Sequence, residues 1–380
     1  IVAVGLSIIP PLFLSLPFTD WFYRALMLLV IACPCALVLS TPVSIVSAIA
    51  CASRKGVLIK GGAYLEEMGS IEAMAFDKTG TLTLSQFAVT DIVAIGECST
   101  EEILALAASL EMKSEHPLAK AILEKAEEKN VPLNEPLDLL SYPGRGLTGT
   151  IDGNTALIGN RMFFEDQDIS ITPYDSEIQR LENEGKTTIL LHHPAARGII
   201  ALADTPRKEA SSCVSMLKDN GFKHIMMLTG DNDRVASAIA KHLKVDSYRS
   251  AMLPGEKVDA IRQLLFKYEK VAMVGDGVND APALAASSVG IAMGAAGTDS
   301  AIEAADVALM SDDLLKLPFL VHLARRTLST IKTNIVFSLI VKSAFIICVF
   351  LGMTNLWMAV AADMGTSLLV ILYGMRLMNT

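Results

Sequence analysis

Charge is nearly missing from both ends of this 380-residue chain. Residues 61–326 hold 25 of the 32 basic and 39 of the 41 acidic side chains. With 52% hydrophobic residues and a mean hydropathy of +0.44, the chain is too apolar for an ordinary soluble protein, so membrane lipid is an expected partner. A basic excess is also lacking. The middle is acidic by 14 charges, which argues against a nucleic-acid partner. No disulfide framework is visible, because the six cysteines are scattered and four lie in or beside apolar runs, as expected of a reducing compartment. Neither an initiator methionine nor a charged signal region precedes Ile1, which opens an apolar stretch, so an N-terminal truncation is expected. Internal repeats and low-complexity tracts are absent.

Four apolar segments are present, at residues 1–18, 21–52, 334–352 and 356–375, each near or above the roughly 20 residues that cross a bilayer. Pro10, Pro11 and Pro17 interrupt the first. Arg54, Lys55 and Lys60 follow the second, and Arg325, Arg326 and Lys332 precede the third, so the positive-inside rule predicts two membrane hairpins with the middle and both ends cytoplasmic. Between them, strand-like runs at 73–76, 189–191, 224–228 and 271–274 alternate with helical patterns at 101–109, 117–129, 207–220, 233–243 and 255–268. That alternation predicts an α/β fold with a mostly parallel sheet. The stretch 131–143, with three prolines, is the most loop-like.

Phe76-Asp77-Lys78-Thr79-Gly80-Thr81 follows an apolar strand, which places Asp77 at a strand's C-terminal edge, where open α/β sheets bind ligands. A carboxylate there can attack phosphorus while loop N–H groups cradle the oxygens. Thr229-Gly230-Asp231 and Gly275-Asp276-Gly277-Val278-Asn279-Asp280 also follow strands, so three strand ends can converge. Asp276 and Asp280 offer the hard oxygen ligands that Mg2+ takes, and Lys257 offers a point charge for the transferring group.

Together, the run 76–83 and the run 275–284 closely resemble the P-type ATPases. The resemblance implies a haloacid-dehalogenase-like parallel sheet with an inserted α+β nucleotide-binding domain, plus transmembrane helices. It gives expected boundaries of 1–60 (two membrane helices), 61–85 (phosphorylation domain, first part), 86–199 (nucleotide-binding domain), 200–326 (phosphorylation domain, second part) and 327–380 (two membrane helices). It implies catalytic roles for Asp77, Lys78, Thr79, Thr229, Gly230, Asp231, Lys257 and Asn279, and a Mg2+ site of Asp77, Thr79, Asp276 and Asp280. In related phosphatases the position of Thr79 is a second Asp that acts as general acid. A hydroxyl cannot do that near neutral pH, so the aspartyl phosphate is expected to persist and drive a conformational step.

Ser114-Glu115-His116-Pro117 ordinarily reads as a helix cap. Its pattern also resembles the nucleotide-binding domain of the heavy-metal branch, which implies that Glu111, His116, Gly144 and Gly146 contact ATP. Gly185-Lys186-Thr187 is no phosphate-binding loop, since the required upstream glycine is Arg180.

Cys33-Pro34-Cys35 sits near the middle of the second apolar segment. Proline frees backbone there, and thiolates select soft cations. The plain alternative is a kinked helix with two small buried residues. Lys342 and Asp363, the charges well inside the last two segments, each lie about ten residues from the turn near Thr354, roughly 15 Å deep by helical rise. They can meet as a functional pair or as a structural one. Copper(I) pumps of the family carry Asn, Tyr, Met and Ser in these helices, whereas the zinc, cadmium and lead group carries a Lys and an Asp-x-Gly. Lys342 and Asp363-Met364-Gly365 match the latter. The transported ion implied is Zn2+, Cd2+ or Pb2+, bound by Cys33, Cys35 and Asp363 with Lys342 as built-in counter-ion.

Two departures stand out: Ser85 replaces a common glycine, and the family's dephosphorylating Thr-Gly-Glu is absent. The leading expectation is ATP-driven metal export across the plasma (inner) membrane, with no oligomer required. A copper(I) pump is the alternative, followed by a membrane-anchored phosphohydrolase and a non-transporting remnant. Thr79 argues against the phosphohydrolase, and the intact Asp77, Asp276 and Asp280 against the remnant.

Overall fold

The computed structural model describes residues 2–14, 17–114, 116–277, 280–294 and 303–380. Two compact units divide the chain: Ile1–Ile71 with Asp306–Ser311 and Lys316–Thr380, and Glu72–Ala305 with Asp312–Leu315.

The first unit is helical. Val2–Leu14 carries Pro10 and Pro11 within it, and is followed by Phe18–Ala32, Cys35–Arg54, Lys316–Phe350 and Leu356–Met375. Among the described residues, three stretches are long and apolar enough to cross a membrane: Phe18–Arg54, Lys316–Phe350 and Leu356–Asn379. The helix Lys316–Phe350 starts well before the apolar segment expected at 334. At 35 residues it is about 52 Å long, more than a hydrocarbon core needs. The second apolar segment is two helices rather than one kinked helix. Cys33 takes extended geometry (φ -61°, ψ 122°) and Pro34, lacking an N–H, begins the next helix. Val57–Ile59 pairs antiparallel with Val307–Leu309. Gly69 lets the short helix Gly62–Gly69 press on the long one, since a Cβ there would lie 2.5 Å from Leu328 and 3.2 Å from the Ala324 carbonyl.

The second unit contains two sheets. In one, Val289–Met293, Val271–Gly275, Ala73–Asp77, His224–Leu228 and Ser247–Arg249 lie side by side, all parallel. Three of these strands are buried at every residue, which is why they read as unbroken apolar runs. Helices Ala210–Asp219, Asp233–Leu243 and Pro254–Tyr268 accompany them, and Ala260, Ile261 and Leu264 pack with Ala73, Ala75, Val271 and Met273.

The other sheet is antiparallel, in the order Thr83–Ala94, Arg197–Pro206, Thr187–His192, Asn154–Gly159, Gly146–Ile151, Leu137–Tyr142. Helices Thr100–Glu111 and Pro117–Glu128 share one core with it, and Arg161–Asp166 and Asp175–Asn183 share another. The run at 189–191 therefore belongs to an antiparallel sheet. The loop expected over 131–143 contains the strand Leu137–Tyr142, an exposed edge strand whose flanking Pro136 and Pro143 fall outside the ladder.

Candidate functional site

Asp77 ends the central strand of the parallel sheet, and the chain then turns sharply through Lys78–Leu82. Gly80 makes the turn at φ +77°, where a Cβ would also crowd Asp276 Oδ2 at 3.2 Å. The neighbouring strand Val271–Gly275 delivers Asp276 and Asp280, and a Cβ on Gly275 would meet Asp280 Oδ2 at 2.9 Å. Lys257, on the first turn of helix Pro254–Tyr268, places Nζ 2.6 Å from Asp77 Oδ1 and 2.6 Å from Asp280 Oδ1. Asp77 and Asp280 are 5% and 1% exposed, so both charges depend on that ammonium.

Burial is the main force on Asp77 and the Asp280 carboxylate adds to it. Against the partial compensation from Lys257, they push its pKa up to about 7. Burial opposes charge on Lys257 as well, yet the two carboxylates outweigh it and hold the ammonium above the ordinary lysine value. One oxygen of the cluster, Asp280 Oδ2, is buried without a hydrogen-bond partner among the described residues. No three His, Cys, Asp or Glu side chains among those residues are grouped as an ion cage. Mg2+ does not require one, since it takes one or two carboxylates and completes its shell with water and phosphate oxygens. The Asp280 oxygen, buried beside Asp77 and unpartnered among the described residues, fits that demand.

Lys78 turns away from Asp77 and is buried against Asp231 at 2.6 Å, tying the loop after Asp77 to the end of strand His224–Leu228. Thr229 Oγ1 accepts the Asp231 N–H at 3.1 Å. Gly230 is exposed and Thr79 half-buried at the same edge. Asn279 lies outside the described residues.

Sequence reading missed Arg207. Its guanidinium is buried and donates to the carbonyls of Thr81 (2.9 Å), Gly80 (3.1 Å) and Asp312 (2.8 Å), while its own N–H bonds the Leu82 carbonyl at 2.9 Å. Thr83 donates to buried Asp204 beside it. Arg207 thus holds the turn that follows Asp77. The available signal was an arginine directly after an apolar strand ending in Asp-Thr-Pro.

At the expected nucleotide end, Glu111 closes helix Thr100–Glu111 and is buried, which pushes its carboxyl above the usual range against a hydrogen bond from Ser114. His116 is exposed and its Nδ1 accepts the Leu118 N–H at 3.3 Å, the capping role. Gly144 (φ +70°) turns the chain before strand Gly146–Ile151, and Asn160 Nδ2 donates to its carbonyl at 2.9 Å. Gly146 is demanded by packing, since a Cβ would lie 2.6 Å from the Phe163 ring and 2.7 Å from Gly159 Cα.

In the helical unit, Cys33 Sγ and Cys35 Sγ lie 2.7 Å apart at the break between Phe18–Ala32 and Cys35–Arg54. Lys342 Nζ reaches the same break, donating to the carbonyls of Ile31 (3.1 Å) and Cys33, and sits 3.3 Å from Asp363 Oδ1. Four helices thus bring four chemically distinctive side chains to one place, beside a small cavity walled by Ile31, Phe345 and Ala359.

A family model described as haloacid dehalogenase-like hydrolase matches residues 71–287. The chain is 46% identical, over its whole length and 53% of the relative, to a probable cadmium-transporting ATPase of Staphylococcus aureus (strain MRSA252). It is 41% identical, over its whole length and 50% of the relative, to the zinc/cadmium/lead-transporting P-type ATPase of Escherichia coli (strain K12). It therefore spans about half the length of the curated relatives it matches. A crystal structure of a zinc-transporting PIB-type ATPase in an E2.Pi state superposes with a TM-score of 0.84 at 41% identity, covering 99% of this chain and 61% of the other. Membrane-length helices, a parallel sheet with a strand-end aspartate and these relatives agree: the chain is an integral membrane protein that belongs to the haloacid dehalogenase-like hydrolases and, among them, to the P-type ATPases.

Proposed function

We propose that this chain is the phosphorylated, metal-holding portion of a pump that exports a soft divalent ion, Zn2+, Cd2+ or Pb2+, at the expense of ATP. Asp77 attacks the γ-phosphorus and ADP leaves. Asp77, Thr79, Asp276 and Asp280 would hold a Mg2+, which would offset the negative charge between carboxylate and phosphate, and Lys257 steadies the transferring oxygens. Lys78, Thr229, Gly230 and Asp231 shape the same strand edge, Asn279 is expected to take part in the transfer, and Glu111, His116, Gly144 and Gly146 face the nucleotide. Cys33, Cys35 and Asp363 ligate the ion, and Lys342 takes its place when it leaves. The expected setting is the plasma membrane with the sheet-bearing unit in the cytoplasm.

The observation that carries the substrate reading is the Lys342–Asp363 pair at the Cys33-Pro34-Cys35 break. A carboxylate beside two thiols suits a borderline divalent ion better than copper(I). In the full-length protein, zinc or cadmium is expected to stimulate ATP hydrolysis with an acid-stable phosphoenzyme, and Asp77→Asn to abolish that phosphoenzyme. Stimulation by copper(I) alone would overturn the substrate, and metal-independent hydrolysis would overturn transport.

A further inference from the structure

Glu182 stands apart from every group invoked above. It lies near the end of helix Asp175–Asn183, in the antiparallel-sheet insert, and is 8% exposed. A carboxylate so placed is costly unless paired. Its partners are not in the insert: Oε1 accepts from Asn232 Nδ2 at 2.8 Å, and Oε2 pairs with Arg234 at 2.8 Å. Asn232 is itself committed, because its Oδ1 accepts the Val235 N–H at 3.1 Å and caps helix Asp233–Leu243. The residue before it, Asp231, holds Lys78 at 2.6 Å, and Lys78 adjoins the nucleophile. Just past Glu182, Gly185 (φ +81°) brings the insert's chain against the same core helix, its Cβ position 3.5 Å from Ala238.

We infer that Glu182 is a positioning residue, a latch that docks the insert on the rim of the Asp77 site. The reading rests on ATP being the phosphoryl donor. A donor held by the insert must reach a nucleophile held by the core, and misplacement by about 1 Å can lower such a transfer roughly 100-fold. A carboxylate gripping both an amide and a guanidinium fixes orientation as well as distance. Phosphorylation of Asp77 by inorganic phosphate, in which the carboxylate oxygen bonds phosphorus and water leaves, needs the core but not the docked insert.

The test uses the full-length protein and compares the two phosphorylations. With Glu182→Ala, phosphoenzyme formation from ATP is expected to slow roughly 10- to 100-fold. Phosphoenzyme formation from inorganic phosphate is expected to stay as in the parent, which also certifies the fold. The swap Glu182→Arg with Arg234→Glu is expected to recover part of the loss. Equal loss from both donors would make Glu182 a mere support of the 229–232 loop and overturn the latch, as would no loss from either. A parent protein that is phosphorylated by inorganic phosphate but never by ATP would overturn the ATPase reading itself, an outcome visible before any variant is made.

Discussion

Asp77 carries a conflict that its strand creates. An ordinary carboxylate titrates near 4, whereas burial and Asp280 raise Asp77 to about 7 despite Lys257. Its contribution to stability is therefore fully present below about pH 4 and is lost as pH rises through 7, because the folded site resists the charge. Asp77→Asn keeps a neutral side chain throughout. It is expected to melt at a higher temperature than the parent at pH 8 in magnesium-free buffer, with the difference closing toward pH 4. Equal melting temperatures at pH 8 would mean that Lys257 already offsets the burial. The strand-end position of Asp77 and the glycine turn after it were legible as residues, since each follows from local pattern. The grip of Arg207 on Gly80 and Thr81 was not, because it joins groups more than 120 residues apart.

Among the elements, the broken helix at Cys33-Pro34 matters most. An unbroken helix would consume the Ile31 and Cys33 carbonyls internally. Interrupted, it offers them to Lys342, which also meets Asp363 on the last helix. Pro34→Ala restores a donor and removes the steric bar, so the two helices are expected to join. Zinc stimulation of ATP hydrolysis is then expected to fall at least tenfold, with phosphorylation by inorganic phosphate intact. Full zinc stimulation in that variant would show that the break is dispensable. The parallel strands were readable because both faces are buried, so every position is apolar. Strand Leu137–Tyr142 was not, since an exposed edge strand carries polar residues and borders on prolines.

For the whole molecule, the division into two units has a direct consequence. The sheet-bearing unit owns three hydrophobic clusters, around Ile103 and Ile158, around Val271 and Ile261, and around Phe164 and Ile199. Residues 72–315 are therefore expected to fold without the membrane helices and to unfold cooperatively. ATP with Mg2+ at about 100 times its dissociation constant is expected to stabilise this piece by about 3 kcal/mol. A melting curve unmoved by ATP would place the nucleotide site elsewhere. The two connecting strands, Thr83–Ala94 and Arg197–Pro206, pair with each other along the antiparallel sheet, so the passage from core to insert is itself ordered structure.

Sequence alone was enough to place the carboxylates at the strand ends, the apolar runs of membrane length and the thiols around a proline. These depend on side-chain period, turn geometry and transfer from water to lipid, all of which act over a few residues. Folding in three dimensions was needed to set Lys257 between Asp77 and Asp280, Lys342 on the Ile31 and Cys33 carbonyls, and Glu182 on Asn232 and Arg234. Those partners lie 23 to 311 residues apart in the chain. Closing such loops is unfavourable in chain entropy, and only the packing of whole sheets and helices selects which buried charge meets which.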